Sequence, residues 1–240
     1  MKEWEEKHFM AKGARKGGRV RDKWRDKQWV VVNKPSGFEP QMPINYIPVT
    51  DPTQIKGRTI ENTLHDMMKG NPDQSMDQHQ IKVFIEIDRI NDGVATTIFK
   101  GHEYAKEFLR SLIRRGSSMI TFTHDYTTMD GHSFRVAMVA FTLRRVNSSK
   151  KHEIRLIAQK ILAERIPQMT VDQFIQEITG NKAEGIPRET NSKLGAAVLE
   201  EAKRITAMRH LGIKKTKLIS TEESRAVNEA KTVETPPQAQ

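Results

Sequence analysis

Two periodicities divide this chain and leave few folds open to it. Ile81, Val83, Ile85 and Ile87 alternate with Lys82, Phe84, Glu86 and Asp88, whereas from about Lys151 the apolar residues recur at helical spacing. A period of two followed by a period of 3.6 predicts strands first and helices after, hence an α+β fold. Asn91-Asp92-Gly93 follows the first alternation, and Val94, Thr96 and Ile98 resume it, which is the pattern of a tight hairpin. A second hairpin joins Ser118–His124 to Ser133–Leu143 through Thr127-Thr-Met-Asp-Gly131. Its return strand is apolar on both faces and is expected at the centre of a sheet.

Around these hairpins the remaining elements fall into place. Gln28–Val32 is rich in β-formers and reads as a first strand. Residues 33–56 hold five of the ten prolines and predict an extended irregular crossing. Gly57–Leu64 alternates as a further strand, and 69–80 is a polar loop. Gly101–Arg115 has helical spacing, with Tyr104, Phe108 and Leu112 on one stripe and Gly116 placed to end it. Ile154, Ile157, Ile161 and Leu162 mark a helix ending near Pro167. Thr170 is the expected N-cap of another, with Val171, Phe174, Ile175 and Ile178 inward and Gly180 at its end. A third starts near Asn191 or Ser192, carries Leu194, Val198 and Ile205, and stops near Gly212; Ile213–Ile219 then returns as a strand. The expected organisation is an arm over 1–22, one domain over 23–219 (β-rich 23–147, helical 151–212, strand 213–219), and a disordered tail over 220–240 with net charge −2.

Charge decides the class of partner. The chain carries ten more Lys and Arg than Asp and Glu, and its pI is about 9.7. Within Lys12–Lys27, eight of sixteen residues are basic, three are Gly, and the net charge is +6. Lys12, Arg15, Lys16, Arg19, Arg21, Lys23 and Arg25 are candidate phosphate contacts there, and Trp24 can stack on a base. Three more basic clusters follow: Arg110, Arg114 and Arg115, with Arg110 and Arg114 on one helix face; Arg144, Arg145, Lys150 and Lys151; and Lys203, Arg204, Arg209, Lys214, Lys215 and Lys217, in an acid-free stretch from 203 to 217. One such cluster is most simply a solvated face. Four together point to a polyanion, and RNA is the expected one.

Other chemistries find little support. The absence of Cys excludes disulfides, thiolate zinc sites and thiol nucleophiles. No run reaches the roughly 18 to 20 apolar residues of a membrane span, and no secretory apolar core opens the chain, so no membrane partner is expected. His124, Asp125, Asp130 and His132 match no ligand spacing and are explained by turn chemistry. Glu86 and Asp88 share a face with Lys82 and read as wet surface rather than an acid/base pair. Gly116-Ser-Ser118 beside Arg114 and Arg115 is either a phosphate loop or an ordinary turn. Glycines 13, 17 and 18 spell no nucleotide loop, and no nucleophile motif occurs. No catalytic residue, cofactor or metal is expected.

The order of several short motifs is more specific. Trp24-Arg-Asp-Lys-Gln-Trp29 leading to Lys34-Pro35, then Gly57-Arg58 and Thr97-Ile-Phe-Lys-Gly-His-Glu103, resemble the archaeal and eukaryotic small-subunit ribosomal protein family S3Ae. Arg110-Ser-Leu-Ile-Arg-Arg115, Asp130-Gly131 and Ile213-Lys-Lys-Thr-Lys-Leu218 fit the same family, and the resemblance spans about 12–219. It implies a mainly antiparallel, β-barrel-like core with packed helices, on the platform of the small ribosomal subunit near the messenger exit, in the cytoplasm. It implies contacts to ribosomal RNA and neighbouring ribosomal proteins, with messenger RNA and initiation factors as further candidates. Carried onto this chain, the RNA contacts are Arg19, Arg21, Lys23, Trp24, Arg25, Arg110, Arg114, Arg115, Lys214, Lys215 and Lys217. A free RNA-binding regulator of translation is the alternative.

Overall fold

In a computed structural model of the chain, the described residues are 24–38, 42–51, 55–68, 76–179, 187 and 189–221. The arm residues Lys12, Arg15, Lys16, Arg19, Arg21 and Lys23 lie outside them, as do Gly180 and the expected tail beyond 221.

Among the described residues, eight strands form one sheet. They are β1 (Gln28–Asn33), β2 (Pro43–Val49), β3 (Thr59–Thr63), β4 (Ile81–Asn91), β5 (Val94–Tyr104), β6 (Met119–Thr127), β7 (Ser133–Thr142) and β8 (Met208–Ser220). Five α-helices among the described residues accompany them: α1 (Leu64–Met67), α2 (Lys106–Leu112), α3 (Ser148–Arg165), α4 (Val171–Thr179) and α5 (Lys193–Ile205). Both hairpins form as the alternation requires. Asp92 and Gly93 take φ of 49° and 79° in the β4–β5 turn, the two positive angles that an Asp-Gly pair tolerates. β7 lies between β6 and β8, in keeping with its apolar residues on both faces.

β5 is the branch point. Along one edge it pairs with β4 over its whole length; along the other, Val94 and Ala95 meet β1 in parallel, while Gly101–Glu103 meet β8. The order β2-β1-β5-β8-β7-β6, with β3 beyond β4, is therefore an open sheet and not a barrel. No strand among the described residues joins β2, β3 or β6 to one another, so the sheet keeps free edges. Bulges at Phe84/Ile85, Ala137/Met138 and Phe141/Thr142 bend it without closing it.

α3 packs against β6 and α5, α5 against β8, and α4 against α5. A run of aromatic rings crosses the core, from Phe38 to Phe99 (6.3 Å), Phe134 (6.3 Å) and Phe174 of α4 (4.9 Å). Thr170 caps α4 reciprocally: its hydroxyl accepts from the Gln173 amide (3.4 Å), and Gln173 Oε1 accepts from the Thr170 amide (3.2 Å). Ser192 caps α5 by accepting from the Gly195 amide at 3.0 Å.

Four expectations are corrected. The stretch 101–115 is not one helix: β5 runs to Tyr104, since β8 takes the hydrogen bonds of Gly101–Glu103, and α2 keeps only Lys106–Leu112. Tyr104 and Phe108 still meet, edge to face at 5.3 Å, but across a strand–helix corner rather than along a helix stripe. Arg114 accordingly lies beyond α2 and shares no helix face with Arg110. The proline-rich crossing contains β2, which accepts Pro43 and Pro48 because it is an edge strand bonded only to β1. The return strand begins at Met208, five residues earlier than expected, and passes through Gly212.

Candidate nucleic-acid interface

Three separate pieces of chain are locked together at one end of β7 and β8. Thr142, fully buried at the end of β7, accepts a hydrogen bond from the Ser118 amide (3.0 Å) and donates its hydroxyl to the Arg144 carbonyl (2.6 Å). The Thr142 amide donates to Ser118 O (3.1 Å), and the Leu143 amide to Ala207 O (3.0 Å). Ser118 Oγ accepts from the Val146 amide at 3.1 Å. Residues 114–118, 142–146 and 206–209 therefore form one corner, although up to 95 positions separate them in the sequence.

This corner brings together Arg114, Arg115, Arg144, Arg145 and Arg209, which derive from three of the four basic clusters. None of the five has an ion-pair partner among the described residues. Several cations elsewhere are matched: Lys82 with Glu61 (2.6 Å), Lys100 with Glu86 (2.8 Å), Lys56 with Asp88 (3.9 Å), Lys203 with Glu189 (3.1 Å) and Arg204 with Glu201 (2.9 Å). Such exposed pairs add little to stability, because water screens them. Their relevance is to the field: pairing lowers it locally, whereas no carboxylate among the described residues pairs with the arginines of this corner.

Arg209 is the most constrained member. It occupies the bulge where Phe141 opposes His210 and Thr142 opposes Met208, and its guanidinium carbon sits 5.9 Å over the Phe141 ring. Its Nη2 is closed off from solvent without a hydrogen-bond acceptor. Burial, and then the neighbouring charge of Arg114, lower its pKa from the usual guanidinium value. Ser117 and Ser118 are engaged within the corner, Ser117 Oγ donating to Arg114 O at 2.7 Å, so Gly116-Ser-Ser118 forms an ordinary turn with Gly116 at φ 78°.

The other candidates are distributed differently. Arg110 is exposed in the last turn of α2. Lys214, Lys215 and Lys217 lie in the far half of β8, where Lys215 is held by Glu103 (2.8 Å). Lys217 is exposed opposite Arg135, itself in a two-pronged contact with Asp125 (2.7 and 2.9 Å) that holds the carboxyl below its usual pKa. Trp24 and Arg25 form the turn entering β1, with Lys27 Nζ 3.6 Å above the Trp24 ring. Trp29 and Tyr46 stand exposed on the face of β1 and β2 away from the core, at 63% and 60%. Sequence reasoning placed Trp29 in a strand without seeing that it faces water; the inward pair Val30 and Val32 was the available signal.

The His124 to His132 group is used up in turn and strand contacts: Asp130 Oδ2 accepts from the Val171 amide (2.6 Å), and His132 Nδ1 lies 3.0 Å from Asp130 O. Among the described residues no cluster of three metal-ligating side chains occurs, and no helix is long and apolar enough to cross a membrane.

Comparison with known proteins agrees with the motif order. The family model of the Ribosomal S3Ae family matches residues 15–222. The small ribosomal subunit protein eS1 of Desulfurococcus amylolyticus is 34% identical over 83% of this chain and 86% of its own. Those of Staphylothermus marinus and Methanopyrus kandleri are each 33% identical, covering 86% and 83% of this chain and 89% of their own. With the family model spanning the sheet, the helices and the basic corner alike, the chain belongs to the Ribosomal S3Ae family.

Proposed function

We propose that the protein is a non-enzymatic structural constituent of the small ribosomal subunit, acting in translation by binding ribosomal RNA and neighbouring ribosomal proteins. One observation carries the reading beyond family membership: five arginines stand on three interlocked segments with no ion-pair partner among the described residues. A surface of that kind is repelled by itself and attracted to a polyanion. Structured RNA is met there through phosphates and shape rather than base sequence. Arg110, Lys214 and Lys217 extend the charge over the same fold, and the arm from Lys12 to Arg25 adds a segment that neutralises further phosphates. The finer placement follows the family: the platform near the messenger exit, in the cytoplasm, with messenger RNA and initiation factors as further partners.

The test is sedimentation of the tagged full-length chain from cell lysate. It is expected to travel with small subunits at moderate salt and to be released as salt rises. A chain that stays at the top of the gradient at every salt concentration would sink the assignment.

A further inference from the structure

The energetics of Arg209 are unfavourable in the protein taken alone. A guanidinium nitrogen closed from water with no acceptor is costly, and a second guanidinium beside it adds repulsion. An arginine on a solvated face escapes both by swinging outward. Arg209 does not, because the bulge directs it over Phe141. The segment bearing Arg114 is in turn fixed by Ser117 and Ser118 to the carbonyl of Arg114 and the end of β7. Arg209 and the segment bearing Arg114 thus meet at one corner with no ion-pair partner for either arginine among the described residues, an arrangement complementary to an anion that offers several oxygens.

We propose that Arg114 and Arg209 clamp a single phosphate of an RNA backbone, seated at the corner where β7 ends and β8 begins. This rests on the RNA-binding reading above and names a place within it. The phosphate is part of a polyanion rather than an isolated carboxylate, since Arg115, Arg144 and Arg145 lie on the same interlocked segments and have no ion-pair partner among the described residues. Arg209 anchors the clamp from the sheet, Arg114 closes it from the loop after α2, and the phosphate supplies the charge and acceptors that both lack.

The experiment uses full-length protein and small subunits stripped of it, with Arg114→Gln, Arg209→Gln and the double variant. Rebinding is measured at several potassium chloride concentrations, and urea unfolding is measured on each free protein. Each single variant is expected to weaken rebinding about tenfold and to flatten the salt dependence. The double variant should lose less than the product of the two, because both side chains hold the same phosphate. Free Arg209→Gln should be as stable as the parent or more so, since it removes a repulsion and an unsatisfied charge. An Arg209→Gln protein that unfolds more easily yet rebinds like the parent would make Arg209 a packing residue and overturn the clamp. So would strictly multiplicative losses, or a crosslink from this corner to a peptide instead of a nucleotide. Parent protein that failed to rebind would remove the RNA-binding reading itself, whereas parent that rebinds alongside indistinguishable variants would remove the clamp alone.

Discussion

Lowering the pH from 7.5 to 5 should destabilise this protein through two buried histidines. His102 of β5 and His210 of β8 are 1% and 4% exposed. Burial lowers the pKa of both from 6.5 to about 4, with the charge of Arg209 adding to the effect at His210. The neutral His102 ring is fully engaged: Nε2–H donates to Ile213 O (3.1 Å), Nδ1 accepts from the Thr216 hydroxyl (2.7 Å), and the His102 amide donates back to that hydroxyl (3.1 Å). A second proton on the ring would take from Nδ1 its role as acceptor and force the Thr216 hydroxyl to turn away. The folded state thus binds protons less readily than the unfolded one, so stability is complete above about pH 6.5 and is lost as pH falls towards 4. At pH 5 each histidine costs about 2 kcal/mol relative to pH 7.5, and the pair roughly 4 kcal/mol, against a typical total of about 5 to 15. Asp125 and Glu189, whose carboxyls are held below their usual pKa, lose their contribution as pH falls through the ordinary carboxylate range, which lies below most of this window. Urea unfolding followed by circular dichroism should give a slope near pH 5.25 of about 2.4 kcal/mol per pH unit, equal to about 1.8 protons. In His102→Gln, whose amide can donate to Ile213 O and accept from Thr216, the slope should fall to about half that. A stability that changes by less than about 1 kcal/mol over the range, or a His102 ring signal titrating near its ordinary value, would refute the reasoning.

Two further outcomes are expected. Gly101→Ala should destabilise by about 3 kcal/mol or more, since Gly101 has φ 152° and any Cβ there would collide with the Thr216 carbonyl of β8; an Ala variant with an unchanged urea midpoint would show that β5 and β8 do not approach as described. Deleting residues 1–22 should leave the urea midpoint close to the parent's and reduce the salt slope of RNA binding by about 0.7 to 0.9 for each phosphate the arm neutralises, whereas an unchanged slope would mean that the arm touches no phosphate.

Elements whose cause is local were legible in the sequence, and those whose cause is distant were not. The β4–β5 turn follows from Asp92-Gly93, and the start of α4 from Thr170 and Gln173, because each is decided within a few residues. The helix expected over 101–115 failed for the opposite reason. Its spacing of Tyr104 and Phe108 is compatible with a helix, but β8, more than 100 residues further on, claims the backbone of 101–103. The same distance explains the functional corner. Composition identifies four basic clusters; only the register of β7 on β8 and the hydroxyl of Thr142 bring Arg114, Arg144 and Arg209 together and leave Lys215 apart, opposite Glu103. Charge density along the sequence therefore predicts the class of partner, since a polyanion responds to the summed field. Which cations are free to meet it is a property of the sheet, because the strand register decides whether a lysine or arginine faces a carboxylate or another arginine.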